Sequence, residues 1–457
     1  MAEPSPGQAW SSRLGFILAM IGSAVGLGSI WKFPYEVGEN GGGAFLLFYL
    51  LGLALVVAPL LFAELVIGRR GRGDAAASIA AVAIEVQRTK RWGWIGFLAI
   101  ATGFLLLSYY AVIGGLTAAY FVRAASGAFK GVDGDDTSAI YHALVSNPWA
   151  VAGYQAFFVA ATASVVARGI GRGIELACRV LMPVLIALMV ILALYALYEG
   201  SVGEALEFLF VPRMDAFNPR VALEALGLGF FSIGVGLGVM ITYAAYAGTE
   251  FNLTSVAVAT LVGDTAVSFL AGLAIFPLVF AHHLDPAGGT SLMFLTLPIA
   301  LGQLPFGSLV GAAFFLSLFV AALASAMSLL ELVVAPVVRL TTMPRALAAA
   351  VLAVFCWLAG LPVALSFNVW SELRPLAAVR GFEDVGVYDA VDGLTSNLLL
   401  PLGGLLLSIF AGWRLGGHAF EIELQWKRRA AKSLTFLLRW ITPAAIVLFV
   451  IVGHLLR

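Results

Sequence analysis

Charge is scarce in this sequence. Only 11% of its 457 residues are Asp, Glu, Lys or Arg, against about a quarter in soluble globular domains. The 26 basic side chains balance the 26 acidic ones, which excludes the basic footprint of a nucleic-acid binder and the pull toward an acidic partner. Cysteine is scarcer still. Cys178 and Cys356 are the only two, both inside apolar runs, so neither a disulfide framework nor a cysteine metal site is suggested. No Ser-His-Asp or metal-ligand cluster stands out among the five histidines, and His282 and His283 read as solvated residues closing an apolar run. Nothing here points to an enzyme or to an organic cofactor. The polar segment Met1 to Trp10 lacks a charged region followed by an apolar one, so no signal peptide is read and the N-terminus is expected to be retained.

What is abundant is apolar surface, at 61% of residues. Runs of about 20 apolar residues cross a bilayer as helices. They fall near 13–37, 43–67, 92–125, 149–167, 175–198, 219–247, 253–281, 305–338, 346–366, 389–413 and 434–455. The chain therefore reads as an all-α membrane protein of about eleven transmembrane helices in the lipid bilayer, with no soluble domain. The third and eighth runs exceed what an upright helix needs and are expected to tilt. Polar stretches near 126–147, 199–217 and 367–388 are expected to form short surface helices. Arg69, Arg70, Arg72, Arg88, Lys90, Arg91, Arg168, Arg172, Lys427, Arg428, Arg429 and Lys432 fall on one side. That excess places them, and the N-terminus, in the cytoplasm and the C-terminus outside. Residues 1–200 and 218–415 read as two five-helix repeats of inverted topology, with 433–457 as a peripheral eleventh helix.

Two of the runs are interrupted by glycine clusters sharing four residues. The first is Gly22-Ser23-Ala24-Val25-Gly26-Leu27-Gly28 and the second Gly234-Val235-Gly236-Leu237-Gly238. Glycine destabilises a helix interior, and unwound backbone at membrane depth survives only in a protein interior or a cavity. Close helix packing is the plain reading of one such cluster. A matched pair points instead to a transporter site built on broken first and sixth helices. Free N–H groups at such a break suit a carboxylate, and free carbonyls suit a small cation or an ammonium.

Carboxylates inside apolar runs are costly and therefore informative. Asp264 reads as a cation ligand, with a protonated structural acid as the alternative. Glu64 is expected to pair with the backbone of a broken helix, and Glu331 divides between helix packing and function. Tyr109 and Tyr110, with Phe231, read as packing or as the wall of an apolar pocket.

The motifs Trp10-Ser11-Ser12-Arg13-Leu14-Gly15-Phe16, Asn40-Gly41-Gly42-Gly43-Ala44-Phe45, Arg168-Gly169-Ile170, Phe230-Phe231-Ser232, Ile241-Thr242-Tyr243 and Ala271-Gly272-Leu273-Ala274-Ile275-Phe276-Pro277, together with the first break, occur in order along nearly the whole chain. They resemble the neurotransmitter:sodium symporter family, in the eleven-span form of its bacterial amino-acid transporters. The resemblance implies sodium-coupled amino-acid uptake across the inner membrane by alternating access.

Carried over by position, the substrate carboxylate would meet Gly26, Gly28 and Tyr110, and its ammonium carbonyls near Ala24, Phe231 and Ser232. Leu106, Phe231, Gly234, Leu237, Ser325 and Leu329 would surround its side chain. One sodium site would take Ala24, Ser29, Ser232 and Asp264, and a second Gly22, Val25, Ala321 and Ser325. Lys32 and Asp392 would form the outer gate. Relatives that carry monoamines place an aspartate where this chain has Gly26, so a substrate with its own carboxylate is expected. Gly234, where serine is usual, leaves room for a bulky apolar amino acid, and the charge of Asp264 implies chloride independence. Five further positions depart from the pattern. Ser29 replaces an asparagine of the first ion site, and Ala324 a hydroxyl or carboxylate of the second. Lys32 replaces an arginine, a point charge instead of a fork. Gly7 and Arg339 stand where an inner ion pair is expected, so that latch cannot form as usual. The lost oxygens motivate a second reading, an amino-acid carrier without strict sodium coupling, and the altered latch a third, a poorly transporting sensor.

Overall fold

The computed structural model describes residues 9–213, 216–287, 292–379 and 382–455. Their regular structure is helical. The first span is split into α1 (Arg13–Ala24) and α2 (Gly28–Glu39), bent by 53° at the break. The side chain of Ser12 starts α1 by accepting from the Gly15 amide at 3.0 Å, satisfying one of the helix's orphan donors. Then come α3 (Gly43–Gly71), a short α4 (Ala75–Glu85), α5 (Lys90–Ala125), α6 (Pro148–Val166) and α7 (Ile170–Glu199). Asn147 caps α6 ahead of Pro148, a residue suited to a first turn where no amide partner is needed.

The sixth apolar run forms two shorter helices, α8 (Pro219–Ile233) and α9 (Val239–Ala245). After them run α10 (Leu253–Ala281), α11 (Gly307–Leu340), α12 (Arg345–Ser366) and α13 (Val387–Leu415). A short α14 (Gly417–Leu424) turns the chain into α15 (Arg428–Val452). Among the described residues nine helices are long and apolar enough to cross a membrane, or ten with the bent first pair as one span. The sixth expected span, 219–247, is these two helices α8 and α9, neither long enough to cross alone.

Burial orders these helices. In their most apolar stretches α11 is 72% and α5 67% buried, whereas α15 is 22% buried. The first two are central and α15 is peripheral. The central pair lie along one another. Their 34 and 36 residues span over 50 Å, about 20 Å more than a bilayer core, which is what a tilted helix accommodates. Around that pair, α1 packs on α7, α10 and α11, while α9 packs on α3 and α11, so both broken spans rest against α11.

The expected surface helices appear as Gly134–Val145 and Val202–Phe210, but 367–379 holds turns and no helix. The buried thiols of Cys178 and Cys356 are both free.

Candidate functional site

The two breaks differ in how the backbone turns. Val25, at the end of α1, is extended (φ −70°, ψ 108°), and neither Gly26 nor Gly28 adopts a positive φ. Their missing side chains make room instead. A Cβ at Gly26 would lie 2.5 Å from Ser325 Oγ and 2.7 Å from the Tyr110 hydroxyl, and one at Gly28 3.0 Å from Ser232 Cα. The second break turns through three left-handed glycines, Gly234 (φ 71°), Gly236 (φ 90°) and Gly238 (φ 72°), a conformation that costs other residues a steric clash. Glu64, fully buried on α3, accepts the Gly236 amide at 2.6 Å. It serves the backbone of the broken helix and is absent from the cavity wall.

Where the breaks meet, Asp264 of α10 is fully buried. Its carboxylate accepts from Ser29 Oγ at 2.5 Å, from Ser232 Oγ at 2.9 and 3.0 Å, and from the Tyr49 hydroxyl at 3.3 Å. The hydroxyls of Ser29 and Ser232 are themselves 3.2 Å apart. Among the described residues no Lys, Arg or His pairs with Asp264. A buried carboxylate surrounded only by neutral hydroxyls lacks the counter-charge that burial demands, and a hard cation with oxygen ligands supplies it. The short side chain of Ser29 does reach this cluster.

A second oxygen cluster is neutral. Ser325 Oγ on α11 lies 3.4, 3.1 and 3.2 Å from the carbonyls of Gly22, Ser23 and Val25. Ala321, four residues earlier on the same helix, is fully buried. Ala324 contributes only a methyl, 3.4 Å from where a Cβ on Gly22 would sit.

Beside both clusters lies a cavity. Ala24, Gly26, Gly28, Leu106, Tyr110, Phe231, Ser232, Gly234, Leu237, Ser325 and Leu329 line it, so the structure brings together every residue assigned to the pocket by sequence. Tyr110 turns its hydroxyl to the break, accepting the Leu27 amide at 3.1 Å. Ser23, Leu27, Ile233, Val239 and Ser328 also line the cavity and were missed. Ser328 had a signal, since it follows Ser325 by three residues on one helix face. Its hydroxyl donates to the Ser325 carbonyl at 2.7 Å and receives that of Ser23 at 2.9 Å.

The gates differ from the expected ion pairs. Among the described residues Lys32 pairs with no carboxylate. Its ammonium lies 4.7 Å from the centre of the Phe231 ring, a cation–π contact. Asp392 accepts instead from Tyr109 at 2.7 Å and Ser396 at 2.8 Å, which takes Tyr109 away from the cavity. At the other end Gly7 lies outside the described residues, and Arg339 pairs with buried Asp74, which also caps α4 through the Ala76 and Ala77 amides. Glu331 pairs with Arg345 and accepts from Tyr246 at 2.9 Å, so it ties helices together. Trp10 donates to the Tyr243 carbonyl at 2.9 Å. Glu175 holds the Ser11 amide and the Ser11 and Ser12 hydroxyls at 2.7 to 2.8 Å.

Two broken membrane helices facing each other across a buried, unpaired carboxylate and a small cavity mark a secondary transporter. The chain belongs to the Sodium:neurotransmitter symporter family, whose profile it matches over residues 7–131 and 146–369; that family consists of transporters, and this protein is not an enzyme. It is 37% identical over 452 residues to the uncharacterized sodium-dependent transporter YhdH of Bacillus subtilis (strain 168), covering 98% of each chain. It is 29% identical over 299 residues to the sodium-dependent neutral amino acid transporter B(0)AT2 of Bos taurus, covering 59% of this chain and 40% of that one. The crystal structure of MhsT in complex with L-phenylalanine superposes with a TM-score of 0.88 at 40% identity, covering 97% of this chain and 98% of the other.

Proposed function

We propose that this protein carries a bulky apolar or aromatic amino acid into the cell with sodium, by alternating access and without chloride. The observation that carries the reading is Asp264, fully buried and ringed by hydroxyls where both breaks meet the cavity. On this reading the substrate carboxylate meets the amides of the first break and the Tyr110 hydroxyl, its ammonium meets carbonyls near Ala24 and Phe231, and leucines receive the side chain. Ala24, Ser29, Ser232, Asp264 and the substrate carboxylate surround one sodium ion; Gly22, Val25, Ala321 and Ser325 surround a second. Coupling then follows from charge. Two carboxylates in one buried site repel unless a cation lies between them, so substrate and sodium each raise the other's affinity. Asp264 supplies a fixed negative charge that a chloride ion would otherwise bring. The phenylalanine bound to MhsT and the neutral amino acids in the name of B(0)AT2 support the substrate class.

The same reading places 1–200 and 218–415 as inverted repeats moving against one another in the cytoplasmic membrane. The N-terminus is cytoplasmic and the C-terminus external, in keeping with the basic residues of Arg69 to Arg72 and Lys427 to Lys432.

Uptake into proteoliposomes with sodium, potassium or choline outside tests coupling; equal rates in all three reject it. Equal rates would favour an uncoupled carrier, for which the methyl of Ala324 in the second cluster is the motive. Asp264→Asn is expected to weaken sodium-dependent binding at least tenfold in chloride-free buffer and to introduce a chloride requirement. Unchanged sodium affinity without chloride would remove Asp264 from the ion site.

A further inference from the structure

Away from the transport site, a pocket opens between α14 and the start of α15. It is lined by Arg428, Lys432 and Arg439 together with Glu421, Phe436 and Trp440. The three cations sit at positions i, i+4 and i+11, which puts them on one face of the helix. Arg428 and Lys432 are exposed, and among the described residues they enter no ion pair. Arg439 is held in place, donating to the Gly412 carbonyl at 3.0 and 2.8 Å with its guanidinium over the Trp413 ring. Glu421 is the carboxylate in the lining, so the pocket keeps an excess of positive charge.

The aromatic groups fix where this charge stands. Trp413 and Trp440 meet edge to face at 5.6 Å, and Trp440 and Phe436 are more than half exposed. Trp413 stands two residues from the end of α13, and a tryptophan at the end of a membrane span marks the headgroup level of a bilayer. Arg439 stands at that level, beside Gly412 and Trp413, and Lys432 and Arg428 follow it toward the start of α15 over about 16 Å. Cations with apolar rings beside them match one kind of molecule: a phosphate with acyl chains attached. A free phosphate would satisfy the cations and leave the aromatic face bare.

We propose that this pocket binds the phosphate headgroup of an anionic phospholipid. On the orientation proposed above, which this assignment adopts, the lipid belongs to the cytoplasmic leaflet. Basic pockets between membrane helices on that side hold anionic headgroups by the same charge arithmetic.

The test uses the full chain purified in an uncharged detergent, with binding read by native mass spectrometry. Phosphatidylglycerol, phosphatidylcholine of the same acyl chains and inorganic phosphate are titrated separately. The expected result is retention of phosphatidylglycerol, with the other two at least about tenfold weaker. The Arg428→Gln/Lys432→Gln variant should lose about tenfold in affinity for phosphatidylglycerol while its lipid-free melting temperature is unchanged. Should that variant fail to fold, Lys432→Gln alone, at an exposed position, is expected to lose about fivefold. Equal binding of phosphatidylcholine or of inorganic phosphate, or wild-type affinity in the variants, overturns the assignment. Binding in detergent is indifferent to which way the chain faces and to what it carries. A negative result therefore removes the lipid pocket and leaves orientation and transport standing.

Discussion

The first and second breaks carry the same Val-Gly-Leu-Gly and use it differently. At the first, the glycine backbone is unstrained, and what matters is space: Ser325 and Tyr110 approach Gly26, and the backbone of Ser232 approaches Gly28. At the second, φ is positive at Gly234, Gly236 and Gly238, and what matters is the turn itself. One break uses its glycines for close approach of neighbouring groups, the other to let a helix stop and restart. A shared motif therefore does not imply a shared role, and substitutions should separate binding from folding.

The largest effect is expected at the first break. Gly26→Asp places a carboxylate against Ser325 Oγ and the Tyr110 hydroxyl, where the proposed function puts the substrate's own. Thermal stabilisation by phenylalanine, tryptophan or leucine in sodium should vanish. The unliganded protein should melt below wild type, since the new side chain displaces the Ser325 and Tyr110 hydroxyls and buries a carboxylate, yet stay folded because no positive φ is involved. Normal ligand stabilisation would reject the pocket, and an unfolded variant would reject the contrast.

Gly236→Ala should show the opposite pattern. Its φ is +90°, and a Cβ there would lie 2.7 Å from the Gly404 amide nitrogen and 2.8 Å from the Leu400 carbonyl oxygen, backbone atoms that cannot swing away. Strain and overlap together should destabilise the protein by roughly 3 kcal/mol or more, read as a sharp fall in melting temperature. A melting temperature within a degree or two of wild type would show that the break tolerates a side chain. Glu64 acts on the same turn, so Glu64→Ala, which leaves the buried Gly236 amide without its acceptor, should cost about 1–3 kcal/mol. Glu64→Gln keeps a carbonyl oxygen and should cost less. Equal losses in the two would mean that charge, not the acceptor, is what the turn needs.

Much of this was legible in sequence because the signals were local. Glycine clusters inside apolar runs announced both breaks, but the cavity lining, with Leu106, Tyr110, Ser325 and Leu329 on distant helices, was legible only through the family resemblance. Contacts across large separations were not legible. Arg339 could not be matched to Asp74, 265 positions earlier, because no periodicity links them. Nor could Asp392 be matched to Tyr109 in place of Lys32. The break expected in the 219–247 run falls at its glycines, which divide it into two helices, each too short to cross by itself.

The smallest effect is expected where the two roles overlap. Gly234 ends α8 with φ 71° and also lines the cavity, but a Cβ there meets nothing nearer than Leu237 Cδ1 at 3.5 Å. Gly234→Ser therefore adds the strain of a left-handed residue without a clash, about 1 kcal/mol, and the melting temperature should drop by only a few degrees. Its added bulk stands in the cavity, so the bulkiest ligand should suffer most: tryptophan affinity should fall more than that of leucine. Equal losses for both would mean that this glycine serves the turn alone, and that the size of the substrate is set elsewhere, at Leu106 or Leu329.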